Sequence, residues 1–398
     1  MIPLQIRSVQ IYRLAIPLCV RFEHAAAVRD TADPIVIEMC ATAPHAHQTG
    51  YGETLARPYV TGETADSVVE DIMNLYTPRL AGFTPESFAE ALEFIEALPS
   101  QIGGRIVTAA RAAVELALLD LAGRVFRRRA ADIAGWMGLG GFGPPGCRAS
   151  ARYSGMVLGK TQRKLARSLW LQRLYGLRDF KLKVALDGWQ QRLEWAHQVL
   201  RRPLADCRVS LRVDANGGWS LSEAHEALPI LERYGVCALE QPLRDSEDDD
   251  LPWLAAQTQC DLIADESLLT IADAERLIEG GGVRVFNIRI AKNGGLMPSL
   301  RIARLALSAG LDVQLGCLVG ETSILSAAGV GFLEACPQVR FVEGAFGRFL
   351  LKADPVYRTI RFGYGGRVRA QRDYGLGMHV NREKLQRCAV ERQRALQL

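Results

Sequence analysis

Three acidic residues close three successive short apolar runs. Asp214 ends RVSLRVD (Arg208–Asp214), Glu240 ends VCALE (Val236–Glu240) and Asp265 ends DLIAD (Asp261–Asp265). Their spacing is nearly even, 240 − 214 = 26 and 265 − 240 = 25 positions, which fits one strand, one helix and two loops per step. If the runs are neighbouring parallel strands, all three carboxylates reach the same edge of one sheet, where they repel unless a cation joins them. Any one of them alone reads most simply as a helix cap or turn residue; three in register favour a metal site. An all-oxygen donor set suits a hard divalent ion, Mg²⁺ first and Mn²⁺ as its substitute. Just upstream, FKLKV (Phe180–Val184) supplies Lys181 and Lys183. Residues two apart on a strand share a face, so both ammonium groups are expected to point at the metal pocket, with Phe180, Leu182 and Val184 buried on the other side. Crowded like charges and partial burial lower a lysine pKa, and an amine freed in this way can serve as a general base. Asn216, two residues after Asp214, is expected to orient a ligand from behind the metal.

These residues need a frame that brings strand ends together. From residue 148 onward, apolar runs alternate with helical segments. The expected strands are Arg148–Ser154, Phe180–Val184, Arg208–Asp214, Val236–Glu240, Asp261–Asp265, Arg284–Ile290, Asp312–Cys317 and Val339–Val342, with helices such as Gln191–Arg201, Leu221–Tyr234, Ile271–Glu279 and Met297–Ala309 between them. Eight strands at roughly 25-residue spacing imply a parallel α/β barrel, whose functional residues lie at the C-terminal strand ends. The first third differs. Ile6–Leu14 and Pro34–Cys40 read as sheet strands, Cys19–Asp33 as a polar irregular stretch, and Gly50–Thr64 as a glycine-rich turn and loop. Helices are expected over Thr64–Leu80, Thr84–Leu98 and Ile106–Val125, the last largely buried. GLGGFGPPG (Gly138–Gly146) is the clearest linker. The expected units are therefore 1–137, a barrel over 147–357, and a tail over 358–398 that returns to the first unit.

Composition excludes several classes. The chain has 398 residues, 48% hydrophobic and 23% charged, enough to bury a full core. A net charge of +4 with scattered arginines gives no nucleic-acid stripe. Nine cysteines, an odd number without CxxC spacing, read as reduced core residues of a cytoplasmic protein. No apolar run reaches membrane-spanning length. The six histidines form no nucleophilic or metal constellation, and the linker glycines are no dinucleotide site.

FKLKV, RVDANGGW, LEQPL, ADES and NIRIAKNGGL (Asn287–Leu296), together with the N-terminal GYGE (Gly50–Glu53), make the chain resemble the enolase superfamily, in particular its muconate-lactonizing (muconate cycloisomerase) subgroup. That subgroup also holds dipeptide epimerases, o-succinylbenzoate synthases and N-acylamino acid racemases. The resemblance implies an N-terminal α+β capping domain over a (β/α)7β barrel, and Mg²⁺ on Asp214, Glu240 and Asp265. It implies abstraction of a proton α to a carboxylate, with Lys183 as base and Lys181 as its electrostatic partner. It places Asn216, Glu266, Lys292 and Glu321 around the substrate. Phe22 and His24 fall in one cap loop (Cys19–Arg29), and Tyr59 in the other (Thr54–Thr61). One departure stands out. The subgroup's second catalytic lysine, on the sixth strand, is Arg289 here, and arginine stays protonated. One-base chemistry, cycloisomerisation or dehydration of a small carboxylate, is the leading expectation. A racemase or epimerase that tolerates Arg289 or recruits Lys292, and a carboxylate-binding member without turnover, are the alternatives. A homo-oligomer is expected, with neither nucleic acid nor membrane as a partner.

Overall fold

The computed structural model describes residues 2–24, 27–139, 148–336 and 338–397. Eight parallel strands form its centre, each hydrogen-bonded to the next in chain order: Gly155–Met156, Asp179–Lys183, Ser210–Asp214, Ala238–Glu240, Asp261–Ala264, Val285–Ile288, Asp312–Leu315 and Val339–Val342. These are barrel strands one to eight. A parallel bridge between Tyr153 and Val342, with Ser154 N donating to Val342 O at 2.7 Å, brings the last strand back beside the first. Helices such as Trp189–Ala205, Leu221–Arg233, Ile271–Gly280 and Leu296–Ser308 connect successive strands. Thr161, Ser220, Thr270 and Thr322 each accept a backbone N–H from the first turn of their helix, the role hydroxyl side chains fill best.

The expected α/β barrel is present, with one correction at strand one. Arg148–Arg152 lies outside the barrel and pairs antiparallel with Arg367–Arg369; the barrel begins at Gly155. A Cβ at Gly155 would stand 3.0 Å from the Phe180 ring and 2.2 Å from Gln172, so the chain can close on strand two only where a side chain is missing.

Strand alternation sorts the barrel interior into two tiers. Ala238, Ile263, Val285 and Phe341 form a small buried apolar cluster of their own. Two residues further along those same strands come Glu240, Asp265, Asn287 and Glu343, all buried. A dry floor thus carries a polar layer at the C-terminal strand ends.

The N-terminal domain is built on a four-stranded antiparallel sheet. Ile6–Leu14 lies between Ala389–Gln397 and Ile35–Ala41, and Thr49–Thr54 forms the far edge. Helix Thr108–Phe126, buried along nearly its whole length, packs on this sheet. Two expectations change here. The glycines of GYGE sit in a strand, not a turn: a Cβ on Gly50 would lie 2.3 Å from Ala117 O, and one on Gly52 2.0 Å from Ala113 O. They let sheet and helix touch backbone to backbone. The supposedly irregular Cys19–Asp33 is largely a hairpin of Ile16–His24 and Ala27–Ala32. Its alternation of Val20 and Phe22 with Arg21 and Glu23 is hidden in the sequence by the alanines that follow. Gly140–Cys147, most of the expected linker, falls outside the described residues. Among the described residues no helix is long and apolar enough to cross a membrane.

Candidate active site

Asp214 and Glu240 stand opposite each other in the register of strands three and four, and Lys183 pairs with Asp214 across strands two and three. Asp265 follows strand five one residue past its end. All three acids are fully buried. Phe180, Leu182 and Val184 face the core as expected, at 1% exposure or less. This turns Lys181 and Lys183 inward. Lys181 Nζ lies 3.0 Å from Asp214 Oδ2, 2.8 Å from Glu240 Oε1 and 3.0 Å from Glu343 Oε1. Burial alone would lower its pKa, but Asp214, Glu240 and Glu343 outweigh burial and raise it. Lys181 is therefore a fixed ammonium rather than a free amine. Lys183 is different. Its Nζ donates to Asn216 Oδ1 at 2.5 Å and lies 3.4 Å from Asp214 Oδ2, and its side chain keeps 14% exposure.

Glu343 was missed in the sequence, although it ends VRFVE just as Asp214 ends RVSLRVD. It joins Lys181 to Arg212, whose Nη2 donates to Glu343 Oε1 at 2.7 Å. Arg212 is completely buried and lies 4.6 Å over the Phe341 ring, tying the charged layer to the apolar floor. Burial would raise the Glu343 pKa, yet Lys181 and Arg212 hold it down at about 2. In the same way, Lys181 and Lys183 overcome burial to keep Asp214 well below the usual carboxylate range.

On the other side, Arg289 forms an ion pair with Asp265 through Nη2 and reaches Glu266 Oε1 at 3.7 Å. Lys292 is fully buried, and its Nζ meets three acceptors: Asp265 O at 2.6 Å, Asp265 Oδ1 at 2.9 Å and Asn287 O at 2.9 Å. Burial and the nearby Arg289 push its pKa down. Three acceptors nevertheless match the three N–H groups of an ammonium. Asn216 Nδ2 donates to Glu266 Oε1 at 3.3 Å, so Asn216 bridges Lys183 and Glu266. Burial, then Asp214 and Glu240, raise the Glu266 pKa to about 7.

The donor chemistry suits a hard divalent cation. Asp214, Glu240 and Asp265 offer only oxygens, and Glu266 Oε2, Asn287 Oδ1 and Gln314 Oε1 nearby are buried without a hydrogen-bond donor. Among the described residues, acidic side chains do not converge closely enough to share an ion. Lysine and arginine nitrogens stand between them instead. The strand register sets the carboxylates at one edge of the barrel.

Further out, Glu321 follows strand seven and lines a small cavity with Tyr153, Ile290 and Glu343. Burial raises its pKa to about 8, against the bond from Leu318 N at 2.5 Å. The loop that carries Glu321 is held by the N-terminal domain. Glu53 accepts Thr322 N at 2.7 Å, Thr322 Oγ1 at 2.5 Å and Leu325 N at 2.9 Å, capping helix Ser323–Ala335 from across the domain boundary. Burial raises the Glu53 pKa to about 7. Arg57, 1% exposed, donates to Val319 O at 2.8 Å. Neither role is readable in the sequence, because the partners lie more than 250 positions away. Tyr59 stands on the short helix Pro58–Thr61 beside Arg57, 39% exposed. The backbone of Phe22 and His24 belongs to the hairpin; their side chains lie outside what the structure describes.

A family model described as enolase C-terminal domain-like matches residues 163–384, more than half of the chain. The chain belongs to that family and is an enzyme of the enolase superfamily. Among its relatives are a hydrophobic dipeptide epimerase of Enterococcus faecalis and muconate cycloisomerase 1 of Pseudomonas putida. The first is 26% identical over 81% of this chain and 84% of the relative; the second is 27% identical over 82% and 83%. The fold matches the crystal structure of a dipeptide epimerase from Cytophaga hutchinsonii complexed with Mg and the dipeptide D-Ala-L-Val. That match has a TM-score of 0.82 and 23% identity, and covers 100% of both chains.

Proposed function

We propose that this enzyme removes the proton α to the carboxylate of a small substrate, from one face only, with Mg²⁺ (or Mn²⁺) as cofactor. Cycloisomerisation or elimination of water follows from such a step. The observation that carries the reading is the asymmetry across the pocket: a lysine with a polar neutral partner on one side, and on the other a lysine with all three donors engaged beside an arginine that keeps its proton. A bound metal would be held by Asp214, Glu240 and Asp265 and would stabilise negative charge developing on the substrate carboxylate.

Lys183, as amine, accepts the α-proton. The ammonium it becomes is received by Asn216 Oδ1 and Asp214 Oδ2, which already lie at 2.5 and 3.4 Å. Lys181 stays charged and keeps Asp214, Glu240 and Glu343 from repelling one another. Arg289 keeps its proton and cannot take one from the opposite face; it contributes a fixed positive charge beside Asp265 and Glu266. Lys292 is occupied in joining the ends of strands five and six, which argues against it as a replacement base. With Lys183 as the free amine, five acids, Asp214, Glu240, Asp265, Glu266 and Glu343, formally face four cations, Lys181, Arg212, Arg289 and Lys292. A divalent cation would turn that single net negative charge into a single positive one, which suits a carboxylate that gains negative charge during reaction.

The test is incubation in deuterated water with Mg²⁺ and single enantiomers of muconate-like lactones, acid sugars, N-acylamino acids and dipeptides, followed by proton NMR and chiral analysis. One enantiomer should lose its α-proton signal with retention while the other stays inert. Interconversion of enantiomers by the unmodified protein would overturn the one-base reading in favour of an epimerase or racemase.

A further inference from the structure

A cavity of about 1420 Å³ lies apart from the residues at the strand ends. Tyr175 on its wall precedes strand two, whereas Lys183 ends that strand, so this wall adjoins the opposite edge of the barrel. Five arginines line it: Arg348, Arg358, Arg361, Arg367 and Arg369. The arginines are scattered along the chain as a whole, but residues 348–372 contain six arginines and Lys352 against a single acid, Asp354. Asp354 is engaged by the Ser323 hydroxyl at 2.6 Å. Asp373, on the cavity wall, is paired with His379 at 3.1 Å. Among the described residues none of the five lining arginines has an acidic partner.

A second observation is independent of the cavity. In the two-stranded ladder beside it, Arg367 stands opposite Arg152. Like charges directly across a ladder are unfavourable. Arg178 adds to the crowding around Arg152. Asp179 offsets part of this crowding, and an anion from outside would relieve the rest. The third observation is aromatic. Phe362 is buried and stacks on Tyr153 with ring centres 5.3 Å apart, a rigid base for the wall. Around it Phe349, Tyr357 and Tyr364 are 53%, 68% and 73% exposed. Exposed flat rings beside unpaired guanidinium groups offer stacking and phosphate recognition together.

We propose that this cavity binds a nucleoside di- or triphosphate, with the phosphates on the arginines and the base against the exposed aromatic rings. The volume is ample for such a ligand. The cavity shares no lining residue with the one beside Glu321, and the proposal does not depend on the reaction assigned at the strand ends.

The test is titration calorimetry of the full chain with ATP in metal-free, low-salt buffer, beside pyrophosphate and adenosine. ATP should bind at one site per chain, roughly tenfold or more tighter than pyrophosphate, and more weakly as salt rises. The double variant Arg361→Glu/Arg367→Glu should lose roughly a hundredfold in ATP affinity. Both side chains are exposed, so circular dichroism should show an unchanged fold. The proposal is overturned if ATP shows no saturable binding or if the variant binds it equally well. Equal affinity for pyrophosphate and ATP would mean an adventitious anion only, without an aromatic contribution. Absent ATP binding, with the variant dissociating on a sizing column, would make the face a contact between copies of this chain and also end the proposal.

Discussion

At the end of strand two, Lys181 and Lys183 share Asp214, with contacts of 3.0 and 3.4 Å; past strand six, Arg289 and Lys292 share Asp265. Both regions place two cations on one buried carboxylate, yet their freedom differs. Lys292 spends every donor on acceptors within 2.9 Å, and Arg289 cannot deprotonate. Lys181 is equally committed, to three acids. Only Lys183 has a neutral amide as its close partner and some exposure. The comparison shows that charge type alone does not mark a base: the acceptors around a lysine decide whether its proton can move.

The most direct way to break the comparison is Lys183→Ala. On the proposed reading it should slow α-proton exchange by roughly 10³-fold, the middle of the range for a lost general base. Mg²⁺ binding, read by calorimetry, should survive, and exchange at an undiminished rate would place the base elsewhere.

Lys181→Met tests the opposite claim, that Lys181 is a structural charge. Removing one partner of a buried ionic group costs about 3–5 kcal/mol. The variant should lose that much in urea unfolding, and Mg²⁺ should restore part of it by taking over the neutralisation of Asp214 and Glu240. An unchanged unfolding midpoint would contradict the assignment.

Arg289→Lys sharpens the asymmetry by removing it. The native reaction should fall by about 10- to 100-fold, while slow exchange of the second enantiomer appears. If both enantiomers already exchange before the substitution, the two regions are not functionally distinct.

The smallest effect concerns the contact between the domains. The Glu53 pKa rises from an unfolded value near 4.5 to about 7, so the folded protein holds this proton more tightly than the unfolded chain. The resulting stability is complete below the unfolded value and is lost as pH climbs toward 7. Glu53→Gln should therefore flatten the decline in stability between pH 5 and 7.5 by about 2–3 kcal/mol. Asp354 and Glu321 are also raised by burial and remain in both proteins, so the difference between them isolates Glu53. Parallel stability–pH curves would show that Glu53 does not titrate in this window.

The barrel and its inward acids were legible because strand alternation is local: Asp214, Glu240 and Asp265 close apolar runs within a few residues. Glu343 carries the same signal at the end of strand eight and could have been found by it. Glu53 and Arg57 could not, because their partners are set by how the domains meet. The misread segments share one cause. Glycines at 50 and 52 mean a turn only if nothing lies close above them, and the helix that does so begins at Thr108. Arg148–Arg152 has strand character, but its partner is the tail at Arg367–Arg369 and not the barrel.

Ile6–Leu14 is an interior strand of its sheet only because Ala389–Gln397 covers one of its edges. During synthesis that edge stays open while the whole barrel emerges from the ribosome. Ile6–Leu14 must wait for a partner made more than 370 residues later, and completion of this sheet is deferred until after the barrel strands are made. A nascent chain stalled before residue 389 would expose a sticky edge for chaperones to shield, whereas the same stall would leave all eight barrel strands already made.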